Sequence, residues 1–149
     1  MAAGLGTIAR IVSESEEIYS GPLNVQEALA RIDAVYKPYH RALRQLVLDA
    51  RTAFGVAVLI DCHSMPSTVR GMHGRLRPDI VLGDRYGTSC VAVVSEVIET
   101  SLRQAGYAVS RNKPYAGGFI TEHYGNPAAG LHSIQIEINR ALYMDERRY

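Results

Sequence analysis

The chain has 149 residues, enough for one domain and short for two. It is 47% hydrophobic and 21% charged with a net charge of +1, which argues against a disordered chain and gives no electrostatic case for nucleic acid or an anionic membrane. No apolar run approaches the ~20 residues that cross a bilayer. The opening MAAGLGTIAR shows no export or transit pattern. Cys62 and Cys90 have no CxxC spacing, so no disulfide framework is expected and a reducing cytoplasm is the expected compartment.

In chain order, residues 4–12 read as a loop running into a short extended segment, with β-branched Thr7, Ile8, Ile11 and Val12. Ser20-Gly21-Pro22 is a turn signal. Asn24 can then cap a helix, with Glu27 completing a capping box. Apolar residues from Val25 to Val47 recur at helical spacing up to about Ala53. Pro38 falls inside this pattern and must kink or divide the helix, because it removes a backbone donor.

Gly55 ends that helix. Val56 to Ile60 is a short apolar run suited to a strand covered on both faces, and Asp61-Cys62-His63-Ser64 follow it. Ile80-Val81-Leu82 reads as a second strand leading into Gly83-Asp84-Arg85. A helix is expected over 89–105, stopped by Gly106, and a strand over 107–110. Residues 112–130 form a loop rich in Gly, Pro and Asn. The last clear strand is 134–138, and a further helix is expected to begin at 142–149.

This alternation indicates an α/β fold. Polar clusters directly after strands suit a ligand site beyond a sheet edge, provided Asp61/His63 and Asp84/Arg85 meet there. His63 suits metal ligation through a neutral ring nitrogen; the alternative is a histidine satisfied by a backbone carbonyl. Asp61 suits a carboxylate orienting that ring, or else a strand-end turn residue. Cys62 should point away from whatever His63 faces and reads as a buried structural thiol. Glu137 interrupts an apolar strand. It is either a buried carboxylate serving as a general base or a residue on a solvated face.

Arg85 and Arg140 suit the gripping of a carboxylate, or salt bridges at element ends. Asp84 either pairs with an arginine or shapes a turn. Lys113, Tyr115 and His123 lie on the 112–130 loop, which could close over a ligand. His132 is a loop polar group or a site contact, and His40 a surface residue on the first helix. Arg70, His73, Arg75 and Arg77 form a basic loop without the interleaved aromatics of a nucleic-acid surface. No HxxE, HxH or HExxH pattern completes a metal triad.

Asp61-Cys62-His63-Ser64-Met65-Pro66, then Pro78-Asp79-Ile80-Val81-Leu82-Gly83-Asp84-Arg85-Tyr86-Gly87, then Asn112-Lys113-Pro114-Tyr115-Ala116-Gly117-Gly118, and His132-Ser133-Ile134-Gln135-Ile136-Glu137-Ile138-Asn139-Arg140 closely resemble the N-formylglutamate amidohydrolase family. Four long motifs in the same order make the resemblance specific, and it covers nearly the whole chain as a single partial domain, 1–149. It implies a three-layer α/β/α sandwich around a mixed, largely parallel sheet, similar to the zinc carboxypeptidases. It also implies zinc-assisted hydrolysis of N-formyl-L-glutamate, or a similar N-acyl acidic amino acid, as in histidine breakdown.

On this resemblance His63 is a zinc ligand, with Asp61 and Ser64 behind it, and Glu137 is the general base. Arg85, Arg140, Tyr115 and Asn139 contact the substrate. The partner so implied is a small-molecule N-acyl amino acid, not nucleic acid or membrane, and a homo-oligomer is compatible. The family's other zinc ligands, a His and an acidic residue, are expected upstream of this chain, and its closing helix downstream. The competing expectation is a catalytically incomplete fragment or small-ligand-binding remnant of the same family, with apolar surface exposed where a neighbouring strand would pair.

Overall fold

Four strands form one sheet in the computed structural model, which describes residues 6–12, 16–68 and 78–148. The chain divides into two compact units, Met1–Leu46 and Val47–Tyr149. The Arg70–Arg77 basic loop, with His73, lies outside the described residues, as do Gly4, Leu5 and Tyr149.

In the first unit, Ile11 bridges Glu17, and helix α1 spans Val25–Arg31. The Asn24 side chain caps α1 by accepting from the Gln26 amide at 2.8 Å. Glu27 pairs with Arg31 along the helix. The expected interruption at Pro38 takes a specific form. A π-helical turn occupies Ile32–Tyr36, and helix α2 follows over Lys37–Phe54 with Pro38 in its first turn. A proline without an N–H leaves a carbonyl one turn back unserved, and widening the hydrogen-bond pattern just before it is one way to absorb that defect. The boundary between the units falls within α2. No helix among the described residues is long and apolar enough to cross a membrane.

In the second unit, β1 (Ala57–Met65) lies at one edge, followed by β4 (Leu131–Asn139), β2 (Ile80–Gly83) and β3 (Val109–Arg111). β1 runs parallel to β4, and β2 parallel to β3, while β2 and β4 are antiparallel. The sheet is therefore mixed and mostly parallel, as expected for this α/β fold.

Alternation gives the sheet two unlike faces. Ile80, Leu82, Val109 and Ile134 form the buried core of one face, with Ile98 and Leu102 of helix α3 (Ala92–Gln104) packed against it. Burying aliphatic side chains of this size contributes on the order of 2 kcal/mol each. The other face carries Asp61 and His63 from β1 and Gln135, Glu137 and Asn139 from β4. Helix α4 (Phe119–Tyr124) packs against β4 and β1.

Several sequence expectations shift at their ends. β1 continues through Met65, so Asp61–Ser64 lie within the strand rather than after it. Pairing along β4 extends the strand beyond the apolar run that marked it. Cys62 is exposed rather than buried, on the same face of β1 as the exposed Val58 and Ile60; Cys90 is the buried thiol, and burial raises its pKa above the ordinary value. After β4 a single 3-10 turn covers Arg140–Leu142, and residues 143–148 are turn and coil instead of a helix.

Candidate active site

The polar face is built around one register. His63 on β1 lies opposite Glu137 on β4, and Val81 on β2 flanks Glu137 from the other side. His63 Nδ1 is 3.8 Å from Glu137 Oε1, and His63 Nε2 is 3.0 Å from Asp61 Oδ2. Asp61 thus holds one ring nitrogen and turns the other toward Glu137. The His63 side chain is 46% exposed, whereas the Glu137 side chain is 8% exposed. The site opens on the histidine side and is closed around the carboxylate. Glu137 is therefore buried and not on a solvated face.

Glu137 is served by a residue that sequence reasoning passed over. Gln135 Nε2 donates to Glu137 Oε1 at 2.7 Å, and Gln135 Oε1 accepts from the Gly118 amide at 2.8 Å. The signal was present in the alternation Gln135, Glu137, Asn139 within an isoleucine-rich strand, which sets three polar side chains on one face.

The segment 112–118 lies over this face. The Tyr115 hydroxyl is raised above its ordinary pKa, first by burial and then by the charge of Glu137, with Arg140 opposing. Tyr115, Glu137 and Arg140 therefore share one electrostatic neighbourhood. Arg140 Nε donates to Ser64 Oγ at 3.2 Å. Ser64 itself belongs to the opposite parity of β1 from His63, so it meets Arg140 and not the histidine ring. Asn139 is buried and engaged at both ends: its Oδ1 accepts from the Ala141 amide at 3.0 Å, and its Nδ2 donates to the Pro78 carbonyl at 3.3 Å.

The Asp84/Arg85 cluster does not meet Asp61/His63 at one sheet edge. β2 is antiparallel to β4, so the C-terminal ends of β1 and β2 lie toward opposite ends of the sheet. Asp84 instead anchors the loop. It is 1% exposed and accepts from Arg111 Nη2 (2.5 Å), Asn112 Nδ2 (2.8 Å), Ser95 Oγ (2.9 Å) and the Gly87 amide (3.1 Å). Burial alone would raise its carboxyl, but these four donors outweigh it and hold the carboxyl below the ordinary value. Both readings of Asp84 are thus met, since it pairs with an arginine and shapes a turn. Asn112, at φ 59°, returns the contact by accepting from the Asp84 and Tyr86 amides.

Arg85 reaches the loop from the far side, donating to the Gly117 carbonyl at 3.5 Å and pairing with Glu122 of α4 at 3.2 Å. Gly83 has no room for a side chain: a Cβ there would stand 2.6 Å from the Gly117 nitrogen. The loop is pressed onto β2 by that absence. His123 sits exposed on α4, its ring stacked on Phe119 at 4.9 Å between centroids. His132 lies on the opposite face of β4 from Glu137, so it is not a contact of this site. Lys113 is exposed, and His40 lies between the rings of Tyr36 and Tyr39.

A catalytic zinc takes three protein ligands and keeps an open position. Among the described residues no group of three or more His, Cys, Asp or Glu side chains could hold a metal ion. His63 Nε2 is held by Asp61, which leaves Nδ1 as the ring nitrogen free to face a ligand. The described residues therefore do not by themselves fit a zinc site. Cavities of ≈ 440 Å³ and ≈ 530 Å³ occur in the first unit, yet neither lining combines a histidine with a carboxylate.

The fold and this face together define an α/β protein with a buried carboxylate beside a histidine on one face of a mixed sheet. Its fold is that of a crystal structure of N-formylglutamate amidohydrolase from Ralstonia eutropha, with a TM-score of 0.90 and 40% identity over 97% of this chain and 53% of that one. A gene product of Agrobacterium tumefaciens shares the fold at a TM-score of 0.65 and 22% identity, over 93% of this chain and 54% of that one. The family model of N-formylglutamate amidohydrolase matches residues 1–144, and the chain belongs to that family. It is 35% identical to N-formylglutamate deformylase of Pseudomonas putida, over 81% of this chain and 46% of the relative. It is 34% identical to the enzyme of the same name from Pseudomonas aeruginosa, over 83% of this chain and 47% of the relative. The chain thus spans about half the length of the relatives it matches.

Proposed function

We propose that the polar face of β1 and β4 hydrolyses the formyl amide of N-formyl-L-glutamate, releasing formate and glutamate. The observation that carries this reading is the placement of Glu137, 6% exposed, beside His63. The family membership and the names of the two Pseudomonas relatives support the substrate.

In this reading Glu137 is the general base. It takes a proton from water as the water oxygen bonds to the formyl carbon. It returns that proton to the nitrogen as the carbon–nitrogen bond breaks. Proton transfer of this kind contributes on the order of 10²–10⁴ in rate. His63, its ring held by Asp61, borders the position of the attacking water. Tyr115 keeps its proton at neutral pH and donates toward the carbonyl oxygen where charge develops. Arg140 is assigned to a substrate carboxylate, a role suited to a guanidinium fork; Arg85, engaged by Glu122 and the Gly117 carbonyl, holds the loop over this face instead. Asn139, with both ends of its amide engaged, caps the turn that carries Arg140. His63 is the residue of this face that would ligate zinc, with Asp61 behind it. The described residues bring it no further ligands, so the steps assigned here are those of the chain's own side chains.

Formate release from N-formyl-L-glutamate by the purified chain tests the reading, with N-acetyl-L-glutamate as comparator. Formate and glutamate in equal amounts support it; no release contradicts it.

A second reading is that the chain binds such a ligand without turning it over. That no three His, Cys, Asp or Glu side chains among the described residues come together as a metal-holding group favours it. So does the exposure of Val58 and Ile60, which share one apolar face of β1. Calorimetric binding of N-formyl-L-glutamate without formate release would select this reading.

A further inference from the structure

We infer that Gln135 is a positioning residue for the Glu137 carboxylate and ties it to the Gly117-Gly118 segment. This rests on the reading of Glu137 as the base.

Gln135 and Glu137 stand two residues apart on the same face of β4, so their side chains rise side by side. Gln135 is 5% exposed, and both ends of its amide are engaged. The amide has one order only. Its oxygen accepts from the Gly118 N–H, which can only donate, and its nitrogen donates to the Glu137 carboxylate, which can only accept. Turning the amide over would break both bonds and set like partners together. The carboxylate is therefore held at Oε1 by a donor whose own position is set by a backbone amide.

That backbone amide is itself fixed. Gly118's carbonyl accepts from Thr121 Oγ1 at 2.7 Å, the Ala116 carbonyl accepts from the Arg85 amide at 2.8 Å, and Gly83 lies against Ala116 and Gly117. A Cβ on Gly118 would stand 3.4 Å from Gln135 Oε1, so the loop is seated closely on the glutamine. The position of Glu137 is thereby read from the loop that carries Tyr115, and a displacement of the loop is passed to the carboxylate.

Two readouts on the full chain test this. The first needs no catalysis: hydrogen exchange of the Gly118 amide followed by NMR. Q135M removes both bonds, and exchange rises about ten-fold or more. Q135E keeps the acceptor for Gly118 and loses the donor to Glu137, so protection is retained. E137M removes the carboxylate that orients the glutamine, and Gly118 exchange again rises. Unchanged exchange in both Q135M and E137M overturns the proposal.

The second readout is kinetic, with N-formyl-L-glutamate. Q135E and Q135M lower kcat about ten-fold or more while KM stays within about three-fold, and neither adds a further loss in an E137Q background. A purely structural role would move KM and melting temperature together and would still lower the rate in E137Q. If Q135M does not fold, Q135E decides. Wild-type chain that releases no formate defeats the functional reading, and the exchange measurement still decides the glutamine's role. Active wild type with equally active Q135E and Q135M defeats the positioning role alone.

Discussion

His63 and Glu137 face one another across the parallel pairing of β1 and β4, with 3.8 Å between Nδ1 and Oε1. Both side chains project from strand interiors rather than loops, so their spacing is set by the sheet. A carboxylate placed this way is buried by its own backbone and by the segment folded over it, while the histidine stays open to a ligand.

The ring orientation that makes this pairing comes from Asp61. Asp61→Asn is expected to lower kcat/KM for N-formyl-L-glutamate about ten- to hundred-fold, the range for a carboxylate orienting a functional histidine. Because the His63 side chain is 46% exposed, the same change should move stability by less than about 1 kcal/mol. Steady-state kinetics and urea unfolding of one variant check both halves.

Asp84 carries a pH dependence. Its folded carboxyl lies below the ordinary value of 3.8, so its contribution is present above that value and lost as pH falls through the folded one. Melting temperature should therefore decline as pH drops below about 4. Asp84→Asn should cost on the order of 2 kcal/mol at neutral pH, through weaker bonds to Arg111 and Ser95, and should flatten the acid decline. Calorimetric scans between neutral pH and the acid limb of both proteins measure this.

How far the site was legible follows from its parts. Asp61, His63 and Glu137 announced themselves as polar residues in or beside apolar runs, and the α/β class followed from the alternation of elements. The strand directions did not. Nothing in the run Ile80-Val81-Leu82 says that β2 lies antiparallel to β4, and that choice carries Asp84 and Arg85 away from His63. The role of Asp84 as a buried hub depends on Arg111 and Asn112, far along the chain, which local pattern does not connect to it. Gln135 was legible in its parity but had no chemistry of its own to mark it. The exposure of Cys62 is not legible because alternation gives a side chain's face and not whether another element covers that face.

Gly83 gives a steric prediction. Gly83→Ala would place a Cβ 2.6 Å from the Gly117 nitrogen and 2.7 Å from the Ala116 carbonyl carbon, both backbone atoms. The loop must lift. The expected cost is about 1–3 kcal/mol, with a fall in kcat because Gly118 leaves Gln135. Thermal unfolding and formate release together report it, and a variant with wild-type values in both would show that the loop accommodates the methyl.

Zinc gives another. With one histidine and no metal-holding group of three among the described residues, zinc added to the metal-free chain should bind no tighter than about the micromolar range. Equilibrium dialysis decides this. Tight binding of one zinc per chain would show that residues outside those described complete the site.

In the proposed function Glu137 is the base that deprotonates water. The most direct measurement is formate release from N-formyl-L-glutamate by wild type and by E137Q, with circular dichroism to establish that both are folded. The expected result is release by wild type and a loss of about 100-fold or more in E137Q at unchanged secondary structure. Release by E137Q at the wild-type rate, or none by the wild type, would rule out Glu137 as the base.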